Sequence, residues 1–146
     1  MSDPDVKVRP KYSIVITCYF EENSVEEFYR RLRATLDQSG ATFEIVMVND
    51  GSTDRTYQLL KEIHARDSNV TVVEMFRNYG QACALTAGIQ EAEGRNFIFL
   101  DSDLQLDPED RIRFTDGSSR AQPRRAVRSK RRPAVGRCAE ERRFGQ

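Results

Sequence analysis

Residues 12–18 read Tyr-Ser-Ile-Val-Ile-Thr-Cys, a short β-branched run without the alternation of a half-exposed strand. Such a run predicts a strand that is buried on both faces, which is typical of a parallel sheet. After it, Ser24 and Glu27 have the spacing of a helix-capping box, and apolar residues recur at helical spacing until Gly40. The segment therefore predicts a strand followed by a helix.

This strand and helix begin a series that fills the first two thirds of the chain. Runs of strand length recur at residues 43–48, 70–75 and 97–100, separated by helical patterns that end near Asp67 and span residues 81–93. The last helical pattern is rich in Ala and Gly, which are small enough to let a helix lie close on a sheet. Four strands alternating with three helices predict an α/β fold with a mainly parallel sheet and right-handed crossovers.

A polar cluster follows each predicted strand directly. The clusters occupy residues 19–23, 49–54, 77–81 and 101–105. Because the carboxyl ends of parallel strands meet at one edge of a sheet, all four clusters converge there, and ligands bind at this edge. We therefore expect the functional residues within these clusters.

Two carboxylates, Asp101 and Asp103, lie two residues apart after the apolar run Phe-Ile-Phe-Leu. The turn can direct both toward a hard cation, and Mg²⁺ or Mn²⁺ prefers such oxygen ligands together with water and substrate phosphates. Taken alone, an Asp-x-Asp pattern is more often a solvated turn. Its position at the carboxyl end of a buried strand favours a metal site.

Residues 49–54 read Asn-Asp-Gly-Ser-Thr-Asp. A strand-to-helix turn accounts for three of them, since Gly51 supplies a positive φ and Ser52 or Thr53 caps the next helix. It does not account for Asp50, whose carboxylate could accept hydrogen bonds from a nucleobase. The sequence contains neither a P-loop nor a Gly-x-Gly-x-x-Gly motif, so a metal ion would hold the phosphates of a bound nucleotide.

Taken in order, these motifs resemble glycosyltransferase family 2. The resemblance is carried by Ile-Val-Ile-Thr-Cys-Tyr-Phe-Glu-Glu-Asn at 14–23, Val-Asn-Asp-Gly-Ser-Thr-Asp at 48–54, Arg-Asn-Tyr-Gly-Gln at 77–81 and Leu-Asp-Ser-Asp-Leu-Gln-Leu-Asp-Pro-Glu at 100–109. Four ordered motifs are specific in a way that no single one would be. Within the family, the chain is most similar to the branch of dolichyl-phosphate mannose synthase and undecaprenyl-phosphate sugar transferases. The resemblance implies a GT-A fold, the Rossmann-like fold of nucleotide-diphospho-sugar transferases.

The resemblance also implies roles for individual residues. The residues that would border the nucleoside are Thr17, Tyr19, Glu21 and Asp50. Those that would lie near the sugar or diphosphate are Arg77 and Gln81. The metal and diphosphate would be held by Asp101 and Asp103, with Gln105 completing the metal site and Asp103 assigned the catalytic role. One departure is Thr17-Cys18, where the family usually carries Pro-Val or a similar pair.

The implied activity is an inverting transfer of a sugar from a UDP- or GDP-sugar, usually to a polyprenyl phosphate, with Mg²⁺ or Mn²⁺ as cofactor. A bound cation stabilises the leaving diphosphate, so no histidine is required. A phosphate acceptor is already anionic and needs no strong general base, whereas a hydroxyl acceptor would need a carboxylate from beyond residue 110. Membrane association is an expectation for the full-length enzyme only.

Two other hypotheses stay open. In the first, the chain is a non-catalytic nucleotide-binding remnant of such an enzyme. In the second, it binds nucleic acid or an anionic membrane through the basic residues 120–143. The only support for this hypothesis is the net charge of the segment, and nucleic acid is an unlikely partner. Metal-dependent binding of a nucleoside diphosphate would distinguish the transferase and its nucleotide-binding remnant from a protein that binds nucleic acid or a membrane.

The chain divides sharply in charge. Residues 1–110 carry 11 basic and 20 acidic side chains, a net of −9, whereas residues 111–146 carry 12 basic and 3 acidic side chains, a net of +9. We expect residues 12–110 to form the nucleotide-sugar-binding half of a GT-A domain. The segment 111–146 has no apolar period, and we expect it to be a disordered basic tail or an out-of-frame reading that replaces the acceptor half.

The cysteines and the N-terminus give indications of the cellular compartment. Cys18, Cys83 and Cys138 share no Cys-x-x-Cys spacing and stand apart from the single histidine, His64, so we predict neither a disulfide framework nor a zinc site. The first residues lack the apolar segment of a signal peptide, and no stretch approaches the ~20 apolar residues of a membrane span. These features favour a cytoplasmic protein.

Overall fold

A computed structural model describes residues 8–102, Ile112 and the backbone of 141–144. The strands are β1 (Tyr12–Cys18), β2 (Phe43–Asn49), β3 (Val70–Met75), β4 (Asn96–Asp101) and β5 (Glu141–Phe144). The helices are α1 (Val25–Gln38), α2 (Thr56–Arg66) and α3 (Gln81–Glu91). They form one five-stranded sheet of order β4-β1-β2-β3-β5 with helices on both faces. The predicted α/β architecture is confirmed, with four parallel strands separated by three helices.

β5 is the one strand that the sequence did not predict. It pairs with β3 in antiparallel register, with Val72 opposite Phe144 and Met75 opposite Glu141. An outer strand such as β3 presents unpaired backbone groups that an extended segment can bind. The sequence did not predict this pairing, and the other residues from 113 onward lie outside the described part of the chain.

Two hydrophobic clusters cover the two faces of the sheet. The cluster under α1 and α2 includes Ile14 and Ile16 of β1, whereas the cluster under α3 includes Val15 of the same strand. All three side chains are fully buried. Burial on both faces explains why the strand carries no alternation of apolar and polar residues.

α3 lies unusually close to the sheet. A Cβ atom added to Gly88 would stand 2.5 Å from Val15 Cγ1 and 2.9 Å from Val48 Cγ2, inside van der Waals contact. The expectation that small residues let this helix lie close on the sheet is confirmed at this position. α3 begins shortly after the carboxyl end of β3, so its first residue, Gln81, lies at the carboxyl edge of the strands.

The capping box predicted at Ser24 and Glu27 does not form. Ser24 is the N-cap residue of α1, but it makes no side-chain cap, and its hydroxyl bonds the carboxylate of Glu21 instead. Glu27 pairs with Arg30 one turn along the helix. The hydroxyl donates to this carboxylate in a charge-assisted hydrogen bond, whereas a cap would require the Ser24 oxygen to accept a helix N–H.

The start of α2 also differs from the prediction of a cap by Ser52 or Thr53. Asp54 Oδ1 accepts the N–H of Thr56 at 3.0 Å, whereas Ser52 Oγ accepts the N–H of Phe20 at 3.1 Å. The hydroxyl of Ser52 is thus used between two loops rather than at the helix. Its partner is 32 residues away along the chain, a contact that a local pattern does not contain.

The cysteines differ from one another in their surroundings. Cys18 is a free, fully buried thiol at the end of β1. Cys83 is disulfide-bonded. The sequence, which predicted no disulfide framework, did not indicate this bond, because cysteine spacing along a sequence does not reveal proximity in the fold.

Candidate active site

A cavity of about 280 Å³ opens at the carboxyl edge of the parallel strands. Each of the four polar clusters that the sequence predicted to converge contributes to it. Its lining consists of Thr17, Tyr19, Glu21, Asp50, Asn78, Gly80, Gln81, Asp101 and Ser102. Three carboxylates and several neutral donors and acceptors therefore face one small volume.

The loop after β1 forms one wall of the cavity, and its conformation is fixed by hydrogen bonds. Phe20 stands between the lining residues Tyr19 and Glu21 and has φ +53°, a conformation that bulky side chains rarely adopt. Its N–H binds Ser52 Oγ, and the N–H of Glu21 donates to Thr56 Oγ1 at 2.9 Å. One bond to the loop after β2 and one to the first residue of α2 thus fix the turn that carries Tyr19 and Glu21.

Asp50 joins two loops at the base of the cavity. The residue is 4% exposed, its backbone N–H donates to Cys18 O at 2.9 Å, and its Oδ1 accepts the N–H of Tyr79 at 2.9 Å. The adjacent Gly51 has φ +71°, and an added Cβ would meet the backbone carbon of Arg77 at 2.3 Å. The loop after β2 and the loop after β3 therefore pack backbone against backbone.

Asp101 ends β4 with its carboxylate in the cavity. Its Oδ1 accepts from Gln81 Nε2 at 2.6 Å and from Thr17 Oγ1 at 3.5 Å. The next residue, Ser102, is buried, and its Oγ donates to the carbonyl of Thr17 at 3.1 Å. The turn after β4 is thereby tied to the end of β1.

Cys18 lies beside this turn, but its thiol is not reactive. Burial raises the pKa of the Cys18 thiol to about 12, although a hydrogen bond with Ser102 acts in the opposite direction. The thiol is therefore neutral at physiological pH, and neutral thiols are poor nucleophiles and poor metal ligands. Cys18 serves as a small buried side chain beneath the cavity.

The donor set at the cavity suits a hard divalent cation. The carboxylate of Asp101 supplies oxygen, the ligand type that Mg²⁺ and Mn²⁺ prefer. The other two predicted metal residues, Asp103 and Gln105, lie outside the described residues. Within the described part of the chain, no group of three or more His, Cys, Asp or Glu side chains is arranged to hold a metal.

Of the predicted site residues that the structure describes, all but one line the cavity. Thr17, Tyr19, Glu21, Asp50, Gln81 and Asp101 all line it. Arg77 does not, and its guanidinium instead lies 4.9 Å from the centre of the Tyr79 ring. This distance is that of a cation–π contact, and Arg77 is exposed.

Three lining residues were not singled out from the sequence: Asn78, Gly80 and Ser102. Asn78 Oδ1 accepts the N–H of Gly80 at 3.1 Å, so the two shape the loop that precedes α3. Ser102 stands between the two aspartates of the Asp-x-Asp pattern. Each lies inside a polar cluster that the sequence did indicate, and the cluster as a whole was the available signal.

The described helices are all too short or too polar to cross a lipid bilayer. The longest of them, α1, has 14 residues.

The sequence and the fold both match known transferases. The model of glycosyl transferase family 2 matches residues 13–113. An undecaprenyl-phosphate 4-deoxy-4-formamido-L-arabinose transferase of Pseudomonas fluorescens (strain SBW25) is 44% identical over 105 residues, which is 71% of this chain and 31% of the relative. An uncharacterised glycosyltransferase of Bacillus subtilis (strain 168), YkcC, is 40% identical over 99 residues, 68% of this chain and 31% of the relative.

Solved structures agree on the architecture. TarS 1-349 of S. aureus in complex with UDP-GlcNAc superposes with a TM-score of 0.53 at 29% identity, covering 64% of this chain and 26% of that one. The mannosyltransferase PcManGT of Pyrobaculum calidifontis, in complex with GDP-Man and Mn²⁺, has a TM-score of 0.56 at 24% identity, covering 69% and 30%. The chain spans about 31% of the length of the curated relatives it matches. With a GT-A-type fold, a cavity at the carboxyl edge and a family match over most of its length, the chain belongs to glycosyl transferase family 2.

Proposed function

We propose that the cavity binds the nucleotide-sugar donor of a metal-dependent, inverting sugar transfer. The observation that carries the proposal is the convergence of Glu21, Asp50 and Asp101 with Thr17 and Tyr19 around one cavity at the carboxyl edge of the sheet. Ligands of open α/β sheets bind at this edge. The similar TarS structure holds UDP-GlcNAc, which supports a nucleotide-sugar as the ligand class.

The cavity lining offers two kinds of chemistry. Asp50 is a buried carboxylate suited to accept hydrogen bonds from the N–H groups of a uracil or guanine base. Asp101, with Asp103 and Gln105 beyond it in sequence, would hold Mg²⁺ or Mn²⁺ against the diphosphate. The cation supplies Lewis-acid stabilisation of the departing nucleoside diphosphate.

We further propose a polyprenyl phosphate as the acceptor of the complete enzyme. The support is the similarity to undecaprenyl-phosphate transferases, at 44% identity. An anionic phosphate attacks without a strong general base, which suits a donor site whose carboxylates are engaged with base and metal. Because the matched region is about a third of the relatives' length, we assign residues 12–110 only to the donor side of the reaction.

Ligand-dependent thermal unfolding tests this proposal. We expect UDP or GDP with Mn²⁺ to raise the melting temperature, since a ligand at 100 times its Kd adds about 2.7 kcal/mol to the free energy of unfolding. Asp101→Ala and Asp103→Ala should each abolish the metal-dependent part of the shift. Asp37→Ala, which changes an exposed aspartate on α1, is the control and should retain it.

Two outcomes would contradict the proposal. If neither nucleotide shifts the unfolding of the wild-type chain, the cavity is not a donor site. If the shift is the same in wild type, Asp101→Ala and Asp103→Ala, the nucleotide binds elsewhere. Binding without any hydrolysis or transfer of the sugar would instead favour the nucleotide-binding remnant.

A further inference from the structure

Gln81 directs its side chain at Asp101. Its Nε2 donates to Asp101 Oδ1 at 2.6 Å, and Thr17 Oγ1 approaches the same oxygen at 3.5 Å. An ionised carboxylate only accepts hydrogen bonds, so the amide must face it with its nitrogen rather than its oxygen. Both donors contact Oδ1, and no described residue makes a hydrogen bond to the second oxygen, Oδ2, which can therefore serve a ligand in the cavity.

The backbone that carries Gln81 is fixed by other contacts. Gln81 is the first residue of α3 and follows Gly80, which has φ +91°. The N–H of Gly80 donates to Asn78 Oδ1 at 3.1 Å, and the N–H of Tyr79 donates to Asp50 Oδ1 at 2.9 Å. The amide therefore reaches the carboxylate from a position that the loop after β3 defines.

We propose that Gln81 is a positioning residue that holds Oδ1 of Asp101 and so presents Oδ2 to the divalent cation of the donor complex. The proposal rests on the proposed function, because it requires a metal ion and a diphosphate in this cavity. It adds to the sequence-based interpretation, in which Gln81 lies near the sugar or diphosphate. Removing a group that orients a metal ligand typically weakens metal binding by about 10- to 100-fold.

The test uses the whole chain and a pair of matched variants. Gln81→Met keeps the length of the side chain and removes the amide, while Gln90→Met makes the same change at another exposed glutamine of α3. Mn²⁺ is titrated calorimetrically at a fixed concentration of UDP, and in a parallel series with GDP. Binding of each nucleotide is also measured in EDTA, so that metal-dependent and metal-independent affinity are separated.

We expect Gln81→Met to weaken Mn²⁺-dependent binding by about 10-fold or more, to leave binding in EDTA unchanged, and Gln90→Met to match the wild type. Equal Mn²⁺-dependent affinity in all three proteins would overturn the positioning role. An equal loss with and without Mn²⁺ would also overturn it, because Gln81 would then contact the nucleotide directly. If the wild type binds neither nucleotide with Mn²⁺, the donor-site proposal itself fails, and the inference falls with it.

Discussion

Asp50 combines a structural and a proposed binding role in one carboxylate. Its Oδ1 accepts the N–H of Tyr79, so the residue fixes the loop after β3 whether or not a ligand is present. A substitution to Ala would remove this anchor together with any contact to a nucleobase. Asn is the sharper probe, because an amide oxygen can still accept from Tyr79 while the negative charge is lost.

We expect Asp50→Asn to weaken UDP or GDP binding by about 1 to 3 kcal/mol, the usual effect of losing a hydrogen bond to a charged group. Inorganic pyrophosphate with Mn²⁺ should bind as in the wild type, because it makes no contact with a base site. Calorimetric titration of both ligands measures the difference. Equal weakening of the two ligands would place Asp50 at the metal and not at the base.

At the scale of the elements, the loops after β2 and β3 act as one unit. Gly51 and Gly40 both have positive φ, at +71° and +65°, but only Gly51 lies against the backbone of Arg77. For Gly40, an added Cβ would meet nothing within 4 Å. Alanine substitutions at Gly40 and Gly51 therefore distinguish two contributions to the loss of stability: the left-handed conformation, which both positions share, and the close contact, which only Gly51 makes.

We expect Gly40→Ala to lower the free energy of unfolding by about 1 to 2 kcal/mol, the cost of the left-handed conformation. Gly51→Ala should cost about 1 to 3 kcal/mol more, because a buried clash adds to it. Urea denaturation of both variants gives the comparison. Equal effects would mean that the two loops separate easily and that their packing is not what shapes the cavity.

A buried contact between Tyr29 and Asp67 links α1 to the residue that ends α2. Tyr29 Oη donates to Asp67 Oδ2 at 2.6 Å, and burial together with this neighbour raises the pKa of Tyr29 from 10.0 to about 12. The folded chain thus holds its phenol proton more tightly than the unfolded chain. The resulting stability is fully present below pH 10 and is lost as the pH rises to about 12.

We expect Tyr29→Phe to lower the free energy of unfolding at neutral pH by about 1 to 3 kcal/mol, because Asp67 loses a buried donor. The variant should also lose part of the decline in stability between pH 10 and about 12. Denaturation curves across this range test both effects. An unchanged alkaline decline would show that Tyr29 does not titrate in the folded chain as its contacts indicate.

These elements show what the sequence can and cannot predict. The strands and helices follow from local apolar spacing, and the convergence of the polar clusters follows from the rule for parallel sheets. The positive φ of Gly51 was also predictable from its turn. Its contact with Arg77 and the bond from Phe20 to Ser52 join residues distant in the chain, so local patterns do not contain them. At Ser24 the hydroxyl donates to the carboxylate of Glu21, three residues earlier, a local alternative that the capping-box pattern does not distinguish.

For the whole molecule, the charge division separates the described fold from most of the basic segment. Both hydrophobic clusters are built from residues 12–112, and the family match ends at residue 113. Residues 111–146 carry the net charge of +9 and contribute one described strand, β5. We therefore propose that the donor site depends on residues up to about 113 and not on the rest of the basic segment.

A chain that ends at residue 113 tests this division. We expect it to bind UDP or GDP with Mn²⁺ at the same affinity as the full chain, because every residue that lines the cavity is retained. Its free energy of unfolding should be lower, since β3 loses the backbone hydrogen bonds that it shares with β5. Salt-dependent binding of duplex DNA, if the full chain shows any, should disappear with the basic residues while nucleotide binding stays. Loss of nucleotide binding in a chain that still unfolds cooperatively would show instead that the basic segment forms part of the donor site.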